Sequence, residues 1–215
     1  MPVGFAPMAR QMEYMMTKTL ALLASTIAVA AFATPAAAQN APEGARAELQ
    51  LGWDRLTTSD DFASLESDGL VYGIGGGYDF KVGNNISLGI DAEITDSSIE
   101  ESEQGRIDGI SYDVTAELGR DLYAGARVNF GIGENAVAYL KAGVTNVQAD
   151  FTITTFDAVT FITEEFSDDD TGWRAGAGLQ FGVASNAYVG GEYRWADYEN
   201  DFQKSQIVGT IGYQF

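Results

Sequence analysis

The 215-residue chain has no Cys and no His, 25 Gly against 4 Pro, and 31 acidic against 12 basic residues, a formal net charge of −19. Without Cys there is no disulfide framework or thiolate chemistry, and without His the commonest general base and zinc ligand are missing. Such acidity argues against nucleic acid, whose phosphates demand a basic surface.

Residues 1–15 carry no targeting pattern, and Met1, Met8, Met12, Met15 and Met16 offer alternative starts, which suggests a start placed too far upstream. Residues 16–38 read as a secretory signal peptide. Lys18 supplies the positive region, Leu20 to Phe32 the apolar region, and Ala36-Ala37-Ala38 the small-residue site, with cleavage expected before Gln39. A membrane-spanning helix fits less well, because the stretch is short, Ala-rich and ended by Pro35. Losing Arg10, Lys18 and Glu13 with that leader leaves 10 basic and 30 acidic residues, a net charge of −20. No linker interrupts residues 39–215, so they are expected to form one domain.

Eight alternating runs follow, after a short lead over 39–44. In the first, Ala45, Ala47, Leu49, Leu51 and Trp53 oppose Arg46, Glu48, Gln50, Gly52 and Asp54. In the second, Leu70, Tyr72, Ile74, Tyr78 and Phe80 oppose Gly73, Gly75, Gly77 and Asp79; in the third, Ile86 to Ile94 oppose Ser87 to Thr95. The fourth is long, Tyr112 to Ile132, with Glu117, Asp121, Arg127 and Asn129 on its polar face. The fifth sets Ala138, Leu140, Ala142 and Val144 against Tyr139, Lys141, Gly143 and Thr145. The sixth, from Trp173 to Val183, has Arg174 and Gln180 on the polar side, and the seventh has Tyr188, Glu192 and Arg194. The eighth places Ile207, Gly209, Ile211, Tyr213 and Phe215 on one face and Gln206, Thr210, Gly212 and Gln214 on the other.

A repeat sets the threading. Phe80, Phe130 and Phe181 each close a run and are followed five residues later by Asn85, Asn135 and Asn186; Phe215 ends the chain. Tight turns on one side and long loops on the other are how an up-and-down barrel is threaded, and membrane barrels have short periplasmic turns and long outer loops. The expected fold is all-β: an eight-stranded antiparallel up-and-down transmembrane β-barrel. Charges share their face with Gly, which suits a crowded lumen and leaves the bulky apolar face for lipid. Trp53, Trp173 and Trp195 then fall at the outer interface and Phe80, Phe130, Phe181 and Phe215 at the inner one, forming two aromatic girdles.

Several residue sets could carry function. Arg46, Glu48, Asp91, Glu93, Glu117, Arg127, Lys141, Arg174, Glu192 and Arg194 share the expected lumen. They either pack as a salt-bridge network or line an ion path; an eight-stranded interior is wide enough only for side chains, which favours packing. The outer loops are acidic, with Asp60, Asp61, Glu66 and Asp68 in the first, Asp96, Glu100, Glu101, Glu103 and Asp108 in the second, and Asp150, Asp157, Glu164, Glu165 and Asp168-Asp169-Asp170 in the third. Such oxygens can hold divalent ions, but like-charge blocks more often serve as solvated surface, and no EF-hand spacing is present. No metal or cofactor site is therefore expected. The third loop, 146–170, reads as a hairpin continuing the fifth strand, with Phe151, Ile153, Phe156, Val159, Phe161 and Ile162 flanking its tip; it is the best candidate for an extracellular partner surface. The glycines at 73 and 75–77 are strand residues, since no helix pattern or Lys-Ser/Thr pair follows.

The segments GRDLYAGARV from Gly119, AYLKAGVTN from Ala138, GWRAGAGLQF from Gly172 and AYVGGEYRWADYEN from Ala187 resemble the opacity-protein and outer membrane protein A-like β-barrel superfamily, the "porin family" of outer membrane barrels. The resemblance implies a Gram-negative outer membrane location after export and a chain that is generally non-enzymatic; the expected surroundings are outer-membrane lipids, around a monomer. It also implies that the terminal strand, Ile207, Gly209, Ile211, Tyr213 and Phe215, is read by the barrel-assembly machinery. The small-barrel enzymes related to this superfamily use His, which this chain lacks. Two functions stay in view: a structural or surface-interaction protein, and a narrow channel for ions or small solutes.

Overall fold

The computed structural model describes residues 41–60, 63–107, 110–156, 161–199 and 202–215. The leader and its cleavage site lie outside the described residues, as do Asp61, Asp108, Asp157 and Val159. Nine strands are found among the described residues: β1 Gly44–Asp60, β2 Ala63–Lys81, β3 Ile86–Ser97, β4 Glu100–Ile107, β5 Ile110–Ile132, β6 Ala136–Phe156, β7 Phe161–Gly182, β8 Ala187–Tyr198 and β9 Phe202–Gln214.

Every pairing is antiparallel, and the strands close into a ring. β1 pairs with both β2 and β9, while β3 pairs with β5 as well as β2. The ring therefore has eight members, in the order β1, β2, β3, β5, β6, β7, β8, β9. β4 is not a ninth stave. It continues β3 beyond Ser98 and Ile99 and pairs with the upper part of β5, Glu100↔Glu117 to Ile107↔Ile110. Closure matters because an unpaired edge in hydrocarbon leaves backbone N–H and C=O groups without partners.

The repeated Asn residues stitch one end of the ring. The carbonyls of Asn85, Asn135 and Asn186 accept from the N–H groups of Gly131, Gly182 and Gln214, each at 2.8 Å. Each tight turn is thus bonded to the strand end beside it. Gly133, at φ 61°, supplies the left-handed residue of the β5–β6 turn, a conformation that costs other residues strain.

Burial is inverted relative to a water-soluble fold. Leu49, Leu51, Ile90 and Ile211 are all more than half exposed on the outer wall, whereas Arg174 and Arg194 inside are 1% exposed. The outward and inward faces match the alternation of the sequence in the membrane-crossing part of every strand. Above it, strands run far beyond expectation. A strand needs roughly 9–11 residues to cross a bilayer, whereas β5, β6 and β7 have 23, 21 and 22. The surplus stands as a four-stranded extension of β4, β5, β6 and β7 at the end opposite the tight turns. Asp60, Glu66, Asp68, Asp96, Glu100, Glu101, Glu103, Asp150, Glu164, Glu165 and Asp168–Asp170, expected in loops, are strand residues. Loop 146–170 is largely the expected hairpin, paired from Asn146↔Thr171 to Phe156↔Phe161.

One departure changes a face. The β5–β6 register shifts between Leu118 and Asp121, where one extra residue in β5 makes a bulge. Beyond it the two faces exchange, because side chains alternate with period two. Glu117, expected in the lumen, is therefore exposed on the outside, and Leu118 is buried in its stead.

The closing seam is directly testable in a chain without Cys. Leu49→Cys combined with Ile211→Cys, directly opposed in the β1–β9 register, is expected to form an oxidative cross-link in the refolded protein, seen as a gel shift. Leu49→Cys with Tyr213→Cys, two residues off register, is expected to cross-link poorly. An open or slipped seam would reverse or equalise the two yields.

Candidate functional site

Alternation puts one polar side chain inward at every second residue, so a narrow ring must reconcile many charges in little space. Six of the ten basic residues after position 38 are buried there (Arg46, Arg127, Lys141, Arg174, Arg194 and Lys204) together with seven carboxylates, Glu48, Asp54, Asp79, Asp91, Glu93, Asp121 and Glu192. They form three stacked clusters.

Nearest the tight turns, Arg46 lies 2.6 Å from Asp79 and pairs with Asp91, while Asn129 donates to Asp79 at 2.8 Å and to Ser87 at 3.0 Å. Arg127 reaches Asp91 at 3.0 Å and Glu48 at 3.6 Å, and its guanidinium rests 4.1 Å from the Tyr139 ring centre. Glu48 also accepts from Tyr188 at 2.8 Å and Gln180 at 3.2 Å.

At mid-height Glu93 is the hub. It accepts from Lys141 at 2.5 Å and Gln50 at 3.2 Å, with Arg194 at 3.3 Å and Arg174 at 3.4 Å. Glu192 is held by Arg194 at 2.7 Å, Lys141 at 2.8 Å and the Tyr139 hydroxyl at 2.7 Å. Higher still, Asp121 pairs with Arg174, accepts from Thr145 at 2.6 Å, and lies 3.2 Å from both Lys204 and the Tyr198 hydroxyl. Lys204 also reaches Asp54 at 3.1 Å.

Two of these contacts cross the whole ring. β3 and β8 stand four places apart in either direction, as do β5 and β9. Glu93–Arg194 and Asp121–Lys204 therefore join opposite walls directly. Above Asp121 an apolar cap follows: Ile99, Leu118, Val147, Ala196 and Tyr198, with Leu56 and Phe202 packed against it. Tyr198 and Phe202 stack at 4.4 Å. The bulge that expels Glu117 is what delivers Leu118 to this cap.

Lumen glycines make the tyrosines fit. Tyr139 and Tyr188 face Gly178 and Gly212 directly across their strand pairs. A Cβ at either glycine would collide with the tyrosine ring. The rings occupy the space that a side chain at either glycine would take.

Of the expected lumen set, Arg46, Glu48, Asp91, Glu93, Arg127, Lys141, Arg174, Glu192 and Arg194 are brought together, and Glu117 is not. Asp54, Asp79, Asp121, Tyr139 and Tyr188 were at inward positions of the alternation but outside that set. Lys204 lay beyond the expected start of the last strand; extending its even positions back from Gln206 reaches it. At the outer wall, Trp53, Trp173 and Trp195 sit toward the long hairpins, with Trp173 and Trp195 edge to face at 4.8 Å. Phe80, Phe130, Phe181 and Phe215 sit at the tight-turn end. Ile207, Gly209, Ile211 and Tyr213 all point outward along β9, and Tyr213 meets Phe215 at 4.9 Å.

The model of the outer membrane protein beta-barrel domain family matches residues 24–215. The chain belongs to this family. It is similar to the 25 kDa outer-membrane immunogenic protein of Brucella ovis, 27% identical over 168 residues that cover 78% of this chain and 74% of that one. Among solved structures it is similar to Ail, the attachment invasion locus protein of Yersinia pestis, with 18% identity, TM-score 0.48, and coverage of 80% of this chain and 99% of Ail. It is also similar to Neisserial surface protein A, with 14% identity, TM-score 0.45, and coverage of 80% and 100%. The protein is an outer-membrane β-barrel.

Removing Lys141 leaves Glu93 and Glu192 short of a shared cation in a closed interior, and breaking a buried pair in this way costs about 3–5 kcal/mol. Lys141→Ala and Arg127→Ala are each expected to lower the unfolding temperature in detergent, whereas Glu165→Ala, on the exposed extension, is expected to leave it nearly unchanged. Lys141→Met with Glu192→Gln is expected to regain part of the loss, because the stranded charge is gone. Thermal melts of the four proteins decide this; equal melting temperatures would show that the interior pairs carry no stability.

Proposed function

We propose that this barrel is a sealed, non-enzymatic outer-membrane protein whose work is done at its outer surface. The observation that carries the reading is the pair of contacts across the full width of the lumen, Glu93–Arg194 at 3.3 Å and Asp121–Lys204 at 3.2 Å. An eight-stranded ring has only side-chain room inside, and here that room is filled from opposite walls and closed above by the apolar cap. The lumen carboxylates serve as partners for buried cations, which is a structural use rather than that of a free acid or base.

The surface supports the same reading. With six basic residues held inside, only Arg55, Arg106 and Arg120 accompany the many carboxylates of the long-hairpin end, and Arg55 is already paired with Asp68 at 2.7 Å. The outer surface of this chain is acidic and fits a cationic partner. The Trp and Phe belts serve as interface anchors, and the outward Ile207, Gly209, Ile211, Tyr213 and Phe215 as the strand recognised by the assembly machinery. The chain acts as a monomer surrounded by outer-membrane lipid, without metal or cofactor, after removal of residues 16–38 as a signal peptide.

The alternative, a narrow channel, makes the opposite electrical prediction. Refolded protein in planar bilayers is expected to show no steady conductance, and Glu93→Ala combined with Arg194→Ala to open a measurable one. Steady ion-selective current through the unaltered protein would defeat the sealed reading. Assembly is tested separately: deleting Phe215 is expected to leave export intact and to lower the heat-modifiable, membrane-inserted fraction. Unimpaired insertion of that variant would remove the assembly role.

A further inference from the structure

The extension above the membrane ends on an unused strand edge. β7 pairs with β8 only from Gly172↔Tyr198 downward, while on its other side it stays paired to β6 up to Phe156↔Phe161. Among the described residues, no strand pairs with the second edge of β7 over Phe161–Asp169. The direction of its free backbone groups follows from one hydrogen bond. The Thr171 carbonyl accepts from the Glu199 N–H at 3.3 Å, so Thr171 directs its main chain away from β6. The β6–β7 register runs without a shift, and backbone direction alternates with the same period as side chains. Phe161, Thr163, Glu165 and Ser167 therefore also present N–H and C=O to the open side, at intervals of about 6.8 Å. Asp169 is partly occupied, its N–H donating to the Asp168 carboxylate at 3.0 Å.

The side chains along this edge are as ordered as its backbone. One face carries Glu164, Phe166 and Asp168, and the other carries Glu165, Ser167 and Asp169. Phe166 is stacked on Phe151 at 5.1 Å and still half exposed, a shelf flanked by two carboxylates. A second copy of the chain is a poor occupant, since pairing two such edges sets carboxylate against carboxylate, and like charges directly opposite are destabilising. Acidic residues on an open edge discourage self-pairing while leaving the backbone available to a strand of opposite charge.

We propose that the β7 edge over Phe161–Asp169 takes up an extended, lysine- or arginine-rich segment of a partner protein as an added strand. This rests on the surface-interaction reading above and names its partner chemistry. The register calls for basic residues four apart on each face, with an apolar residue between them opposite Phe166. Main-chain hydrogen bonds supply binding along the edge and the alternate side chains supply selectivity, as in other strand-addition complexes.

The test uses the full chain refolded in detergent micelles and a fluorescein-labelled octapeptide, Thr-Lys-Lys-Val-Thr-Lys-Lys-Thr, at physiological salt. Two further versions carry N-methyl groups on odd or on even residues, which removes edge donors and keeps every charge. One-to-one binding of the parent peptide is expected, with at least a tenfold loss for one of the methylated versions. Thr163→Pro combined with Ser167→Pro removes outward N–H groups that β6 does not use, and a similar loss is expected with heat-modifiability retained. Equal binding of all three peptides would reduce the interaction to diffuse charge attraction and overturn strand addition, as would no binding of the parent peptide. Neither outcome touches the sealed-lumen reading, which falls only if the unaltered barrel conducts.

Discussion

Closure of the ring is the constraint on which the rest of this molecule depends. In hydrocarbon no water is available to a bare N–H or C=O, so β1 must find β9 and β3 must find β5 before the wall is acceptable to lipid. Closure fixes which side chains face in, and it compresses them into a space set by the strand number alone. The charge clusters, the glycines beneath the tyrosines and the turn-to-strand bonds of Asn85, Asn135 and Asn186 all answer to that geometry.

The interior solves its crowding with paired charge rather than apolar packing. Burying an ion is costly unless opposite charge and hydrogen bonds surround it. Glu93 meets three cations from β6, β7 and β8, so no single strand owns its neutralisation. Such shared partners tie distant strands together and define a single register, since a slip by one residue would carry a charge to the lipid face. Where the network ends, above Asp121, the lumen changes character and is finished by Tyr198, Phe202, Leu118 and their neighbours.

Drawing most of the cations inside has a consequence outside. The charge of −20 carried from residue 39 onward is concentrated toward the hairpin end, and β7 displays five carboxylates within Glu164–Asp170. The same allocation that neutralises the lumen gives the outer rim its sign. Interior neutralisation and the negative outer rim are thus two sides of one distribution of Arg and Lys.

Alternation, the Phe–Asn repeat and the aromatic ends were enough to read the barrel, its strand number and the facing of Arg46, Glu48, Glu93, Lys141, Arg174 and Arg194, because period two is imposed locally by the pleat. Three things needed the tertiary structure. The bulge at Gly119–Arg120 is a mismatch between two strands, invisible in either one, and it moved Glu117 out and Leu118 in. Lys204 joined the network because pairing with β1 extends β9 further back than its own pattern suggests. The cross-lumen contacts, and the long extension that leaves one edge of β7 open, depend on which strands end up opposite or adjacent. Local sequence determines which way a side chain points; only ring closure decides what it meets.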